Sequence, residues 1–94
     1  MPRRARVVIA IAIYSRPGCH LCEEMKAVVQ RAVRVSGVAA TIEEIDISTD
    51  PALEDRYGVE IPVLYVDGKK AAKYRVAEEG LARMLAARPD STSP

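Results

Sequence analysis

Phenylalanine and tryptophan are absent from this 94-residue chain, whose aromatic content is four tyrosines. So few flat rings leave little on which unpaired bases could stack. An excess of one charge is missing too: 14 basic against 13 acidic residues give a formal net charge of +1, no field to gather nucleic acid or an anionic membrane. Neither is an expected partner. No apolar run approaches the ~20 residues of a membrane-spanning helix. The longest, VVIAIAIY at residues 7 to 14, follows Arg3, Arg4 and Arg6 as the core of a secretion signal would, but it leads at once into SRPGC, with neither a small-residue cleavage site nor a spacer. It is read as a buried strand, the RRAR cluster at residues 3 to 6 as a solubilising leader, and the protein as cytoplasmic.

Cysteine is nearly as scarce, and its placement matters more than its count. Both cysteines and the one histidine fall inside YSRPGCHLCEEM, residues 14 to 25. In a reducing compartment two cysteines three apart suit catalysis or metal binding better than a structural bridge. With 49% hydrophobic residues, the chain can bury a small core without staples. One domain over residues 1–88 is expected, with PDSTSP at the end, residues 89–94, as a disordered tail.

Periodicity sets the order of elements. The run from Val7 to Tyr14 suits a strand covered on both faces. After the SRPG turn, Leu21, Met25, Val28, Val29, Ala32 and Val33 fall on one helical stripe, and Gly37 is placed to end that helix. ATIEEIDI at residues 40 to 47 reads as a second strand. A short helix follows, with Asp50 as its cap, Pro51 in its first position and Gly58 at its end. Val63 to Val66 and Ala71 to Val76 flank Asp67-Gly68, a strong hairpin signal. Glu78 and Glu79 open a last helix with Leu81, Met84 and Leu85 on its buried side, stopped by Arg88-Pro89. The result is an α/β chain, β-α-β-α-β-β-α. Its first crossover demands a parallel pair and its hairpin an antiparallel one, so a mixed four-stranded sheet flanked by helices is expected.

Within the motif, Cys19 stands where the turn meets the helix. Free backbone N–H groups and the positive end of the helix dipole both favour thiolate there, and Arg16 adds a positive charge nearby. Cys22 lies one turn deeper on the same face. Cys19 is therefore the expected nucleophile toward a disulfide, and Cys22 the thiol that resolves the mixed disulfide. A protonated His20 would further steady the thiolate. Two other readings stay open. The sulfurs could be inert core residues, or with His20 they could hold a metal, which a structural site would complete with a carboxylate or a second chain.

These residues carry a resemblance. YSRPGCHLCEEM is similar to the glutaredoxin branch of the thioredoxin superfamily, and most of all to the glutaredoxin-like family with Cys-x-Leu-Cys near the N-terminus. The later stretch EEIDISTDPALEDRYGVEIPVLYVDGK resembles that family too. The resemblance implies a thioredoxin-like fold, a cis Ile61-Pro62 peptide facing Cys19, and backbone groups of Ile61 that pair with a bound peptide or glutathione. Pro17, Gly18, Leu21, Ile61 and Pro62 would then shape the contact surface, and Arg16 and His20 would tune the dithiol. In one respect the chain departs from the pattern: Val76 and Ala77 stand where glutaredoxins carry the Gly-Gly pair that helps hold glutathione. Either Glu78 stands in for the Asp that follows that pair, or the chain acts on protein disulfides.

The expectation is a monomeric thiol-disulfide oxidoreductase with no bound cofactor and glutathione as a candidate co-substrate. Disulfide-containing proteins or glutathione mixed disulfides would be its partners, and a thioredoxin or glutathione reductase system its source of electrons. The alternative is a non-catalytic module of the same fold that carries a metal or iron–sulfur cluster through Cys19 or docks a partner protein.

Overall fold

The computed structural model describes residues 8–87; the basic leader, Val7, the Arg88-Pro89 stop and the tail lie outside the described residues. Its centre is β1 (Ile9–Ser15), along which Ile9, Ile11, Ile13 and Ser15 are buried in strict alternation. On one side β1 pairs in parallel with β2 (Ala40–Asp46), from Ile9 opposite Ala40 to Ser15 opposite Asp46. On the other it pairs antiparallel with β3 (Val63–Val66), Ile11 opposite Val66 and Tyr14 opposite Val63. The edge strand β4 (Lys69–Lys73) completes the order β2-β1-β3-β4. This is the expected mixed sheet.

The two faces of the sheet are covered unequally. Helix α1 (His20–Ser36) buries Cys22, Met25, Val29 and Ala32, and α3 (Glu78–Ala87) buries Leu81 and Leu85. All of these but Cys22 join Ile9, Ile11, Ile13, Leu64 and Val66 in the larger core. On the opposite face α2 (Pro51–Tyr57) brings Tyr57 against Ile47 and Val63, with Tyr14, Leu53, Ile61 and Tyr65 at the margin. That second layer covers β1 only toward its C-terminal end. Ala10 is exposed, so the expectation of a strand covered on both faces holds for half of it. Met84 corrects the reading of α3: it is 38% exposed, because a ten-residue helix with Leu81 and Leu85 toward the core turns position 84 outward.

Local chemistry explains the boundaries. The C-terminus of α1 is Gly37, at φ 74°, with its N–H bonded to Val33 O at 3.1 Å; this is the left-handed cap that glycine takes without steric cost. Strand β2 stops one residue before expectation. The Asp46 carboxylate accepts hydrogen bonds from the N–H and Oγ of Ser48 at 2.8 and 2.6 Å, turning Ile47–Thr49 into a single 3₁₀ turn. Asp50 caps α2 through Ala52 N at 2.9 Å, with Pro51 in the first turn, as its sequence signals require. Asp67 and Gly68 take φ of 51° and 82°, the type I′ pattern. The following strand runs from Lys69 to Lys73, not Ala71 to Val76. A two-residue turn starts pairing immediately, and Tyr74 at φ 69° leaves the strand conformation.

Leu64 lies fully buried in the larger core. Leu64→Ala is expected to cost about 2–5 kcal/mol, whereas Val59→Ala, at a side chain 86% exposed, should stay within about 0.5 kcal/mol. Urea unfolding checks both: the midpoint should fall for the first and hold for the second, with the slope unchanged.

Candidate active site

Ser15 ends β1 and Cys19 caps α1, so Arg16, Pro17 and Gly18 must reverse the chain. Cys19 N–H donates to Arg16 O at 3.2 Å and Gly18 sits at φ 77°. Proline second and a positive-φ glycine third make a type II turn. Cys19 itself is extended, at φ −88° and ψ 114°, and its Sγ accepts a hydrogen bond from Cys22 N at 3.2 Å. The sulfur thus occupies the place of a capping oxygen, on an otherwise orphan N–H of the first turn.

Cys19 and Cys22 are joined as a disulfide with their Cα atoms 5.2 Å apart. Cys22 is 1% exposed and Cys19 is half-buried. An incoming group can reach the outer sulfur and not the inner one. The His20 side chain, 87% exposed, has Nε2 3.1 Å from Glu24 Oε2. Leu21, between the two cysteines, lines a groove of about 130 Å³ with Glu24, Met25, Val28, Tyr74, Arg75 and Val76. Pro17 and Gly18 are exposed on the turn.

The Ile61-Pro62 peptide is cis, as the resemblance implies. The pairing of Val63 with Tyr14 sets Pro62 beside the end of β1 from which the cysteine turn departs. Pro62 O accepts Tyr74 N–H at 2.8 Å, and Tyr74 Oη donates to Val59 O at 2.9 Å, so one residue ties both sides of the proline loop. Among the described residues neither backbone group of Ile61 has a hydrogen-bond partner.

Arg16 is committed elsewhere than to the sulfurs. Its Nη2 and Nε donate to the two carboxylate oxygens of Glu54 at 2.6 and 3.1 Å, and Nη2 also reaches Gly58 O at 3.5 Å. The bond to Glu54 pushes the guanidinium pKa upward, opposed by partial burial and aided by the charges of Glu54 and Asp46. Glu78, weighed above as a glutathione contact, receives Arg31 Nε at 2.8 Å. Ser15, 3% exposed, donates to Glu44 Oε2 at 3.1 Å, and Lys26 Nζ holds Glu44 Oε1 at 3.2 Å.

Sequence reasoning missed Glu54, Tyr74 and the tyrosine cluster beneath the site. Tyr14 and Tyr57 lie 4.5 Å apart between ring centroids, Tyr65 meets both edge-on, and the hydroxyls of Tyr57 and Tyr65 are 3.1 Å apart. The alternation of β3 was the available signal for Tyr65, which points away from the Leu64 core; none marked Glu54. Among the described residues no group of three or more His, Cys, Asp or Glu side chains could hold a metal ion, and no helix is long and apolar enough to cross a membrane.

This geometry has known relatives. The family model of the glutaredoxin-like domain (DUF836) matches residues 10–86. The Glutaredoxin-like protein YDR286C homolog of Dictyostelium discoideum is 35% identical over 77 residues, covering 78% of this chain and 71% of that protein. Among solved structures, protein Ne2328 of Nitrosomonas europaea is 28% identical with a TM-score of 0.70, over 90% of this chain and 99% of that one. The thioredoxin protein Deadhead of Drosophila melanogaster shares the fold at 24% identity, with a TM-score of 0.53 over 84% of this chain and 79% of its own. The fold is thioredoxin-like.

The hydrogen bond to Tyr65, then burial, pushes the Tyr57 hydroxyl up to about 12 from its ordinary 10.0. A phenol whose folded pKa is raised adds stability that is complete below pH ~10 and lost as pH climbs through ~12. Ultraviolet titration should resolve one tyrosine ionising late, and Tyr65→Phe should bring that step down toward the others. An unchanged late step in the variant would assign it to another ring.

Proposed function

The chain belongs to the glutaredoxin-like domain family, and on that premise we propose that it is a small thiol-disulfide oxidoreductase in which Cys19 is the nucleophile and Cys22 the resolving thiol. The observation that carries this reading is the position of Cys19 Sγ as the cap of a 17-residue helix, on the N–H of the buried Cys22. Backbone dipoles aimed at that sulfur favour thiolate over thiol.

The reduced protein would act in two exchanges. Cys19 thiolate attacks one sulfur of a substrate disulfide, a Cys19–substrate bond forms, and the other substrate sulfur leaves as thiolate and takes a proton. Cys22 then loses its proton and attacks Cys19 Sγ, releasing the second substrate thiolate and closing the Cys19–Cys22 bond, so two electrons have passed to the substrate. Reversal needs an external thiol reductant, glutathione or a reductase system, as a cytoplasmic setting supplies. The unpartnered N–H and C=O of Ile61 suit an extended substrate segment added beside the site. Protein disulfides fit better than glutathione mixed disulfides: Val76 forms part of the groove wall, and the Glu78 carboxylate is held by Arg31.

Cys19→Ser should abolish disulfide reduction, and Cys22→Ser should accumulate a mixed disulfide on Cys19 visible by intact mass; a fully active Cys19→Ser protein would sink the reading. Equilibration in graded glutathione buffers should give a reversible two-electron transition between roughly −120 and −270 mV, the span of dithiol oxidoreductases. The double substitution Val76→Gly and Ala77→Gly should raise turnover of a glutathionylated peptide relative to a protein disulfide. Equal rates for the two substrates in the parent would remove the preference.

A further inference from the structure

The motif turn carries one cation, and the fold takes it out of service. Arg16 opens the type II turn that ends at Cys19, so their Cα atoms lie within about 7 Å, short enough for the guanidinium to reach the sulfur's surroundings. Its Nη2 and Nε instead meet Glu54 on α2 in a two-point pair at 2.6 and 3.1 Å, and Gly58 O adds a third contact. A β-carbon at residue 58 would lie 3.4 Å from Arg16 Nη2 and 2.5 Å from Glu54 O. The glycine leaves this pair its room.

Charge at the turn is thereby balanced, not cancelled by solvent. Both side chains are about one-third exposed, at 38% and 36%, so solvent screens the pair and it adds little to stability. Its field at Cys19 is another matter, since a unit charge carried on the same turn, through partly screened surroundings, shifts a titration by up to about one pKa unit. Other charged groups lie around the motif. Asp46 reaches Arg16 through its charge and is itself held ionised by Ser48; His20 is solvated beside Glu24, which also meets Arg75 Nη1 at 3.7 Å across the groove; Glu23 belongs to the first turn of α1.

We propose that Glu54 is a positioning residue for the proposed exchange reaction: by holding Arg16 on α2, it withholds a positive charge from Cys19 and keeps the thiol less acidic and the dithiol less oxidising than the turn alone would make them. The inference rests on the oxidoreductase reading.

The test is a double-mutant cycle of Glu54→Gln and Arg16→Gln in the full chain, read by the pH dependence of Cys19 alkylation in the reduced protein and by the dithiol potential. Glu54→Gln keeps the shape and frees the cation, so the Cys19 pKa should fall by about half a unit to one unit, with a three- to tenfold shift toward the reduced form. Arg16→Gln leaves Glu54 unbalanced and should raise the pKa by a similar amount. The double variant should return near the parent, and ~1 M salt should shrink every shift, because exposed charges are then screened within ~3 Å. Opposite signs that cancel support the proposal. Two shifts of the same sign, or unmoved pKa values with lowered melting temperatures, overturn it and leave the pair a structural clasp. A parent protein with no reversible dithiol transition would defeat the functional reading, while the alkylation cycle would still decide the role of Glu54.

Discussion

Three residues must carry the chain from a central strand to the first turn of the helix that covers it, and the site depends on that constraint. Pro17 supplies one fixed φ and Gly18 a positive one, at 77°. A β-carbon on Gly18 would meet nothing within 4 Å, so torsion and not space demands glycine there. The turn delivers Cys19 in the extended conformation of a helix cap, with Sγ already on Cys22 N. The cap of the helix and the outer sulfur of the disulfide are thus the same atom. Sulfur is a weaker acceptor than the oxygen of Ser or Asp, so at this position the fold accepts a poorer cap in return for a sulfur among backbone donors.

The unequal cores follow from the same arrangement. One face carries two helices and three isoleucines of β1; the other carries α2 and three tyrosines. Rings suit the thinner layer because each covers a wide area and offers a hydroxyl to its neighbour, and the Tyr57–Tyr65 bond uses two of them. The cysteine turn and the proline loop both leave the sheet at the end where α2 closes this layer. Arg16 links the turn to α2 across 38 positions of sequence, so the small layer, and not the large core, is tied to the motif turn by an ion pair.

Legibility in the sequence tracked the range of the physics involved. Asp50-Pro51, Asp67-Gly68 and Gly37 were readable because a cap or turn needs its residue types at fixed offsets. The dithiol was readable for the same reason, and the parallel and antiparallel pairings followed from connection lengths. Where a carboxylate intervened, the pattern failed: Asp46 ended β2 early by bonding Ser48, which apolar periodicity does not register. The partner of Arg16 was hidden because nothing local distinguishes Glu54 from Asp55. Met84 was misplaced because a short helix has room for two core positions, and the apolar pattern offered three.

Tyr74 shows how one strained residue can serve two segments. A non-glycine residue at φ 69° is disfavoured by roughly 1–2 kcal/mol, and it cuts short the last strand. Two hydrogen bonds over-determine it, from its N–H to Pro62 O and from its hydroxyl to Val59 O, each worth about 0.5–1.5 kcal/mol. The balance closes near zero, so the kink persists without drawing on the core. Because Tyr74 turns out of the strand, its own ring and the Arg75 and Val76 side chains come round to wall the groove beside Leu21. The residue that fastens the proline loop therefore also shapes the groove that Leu21 lines.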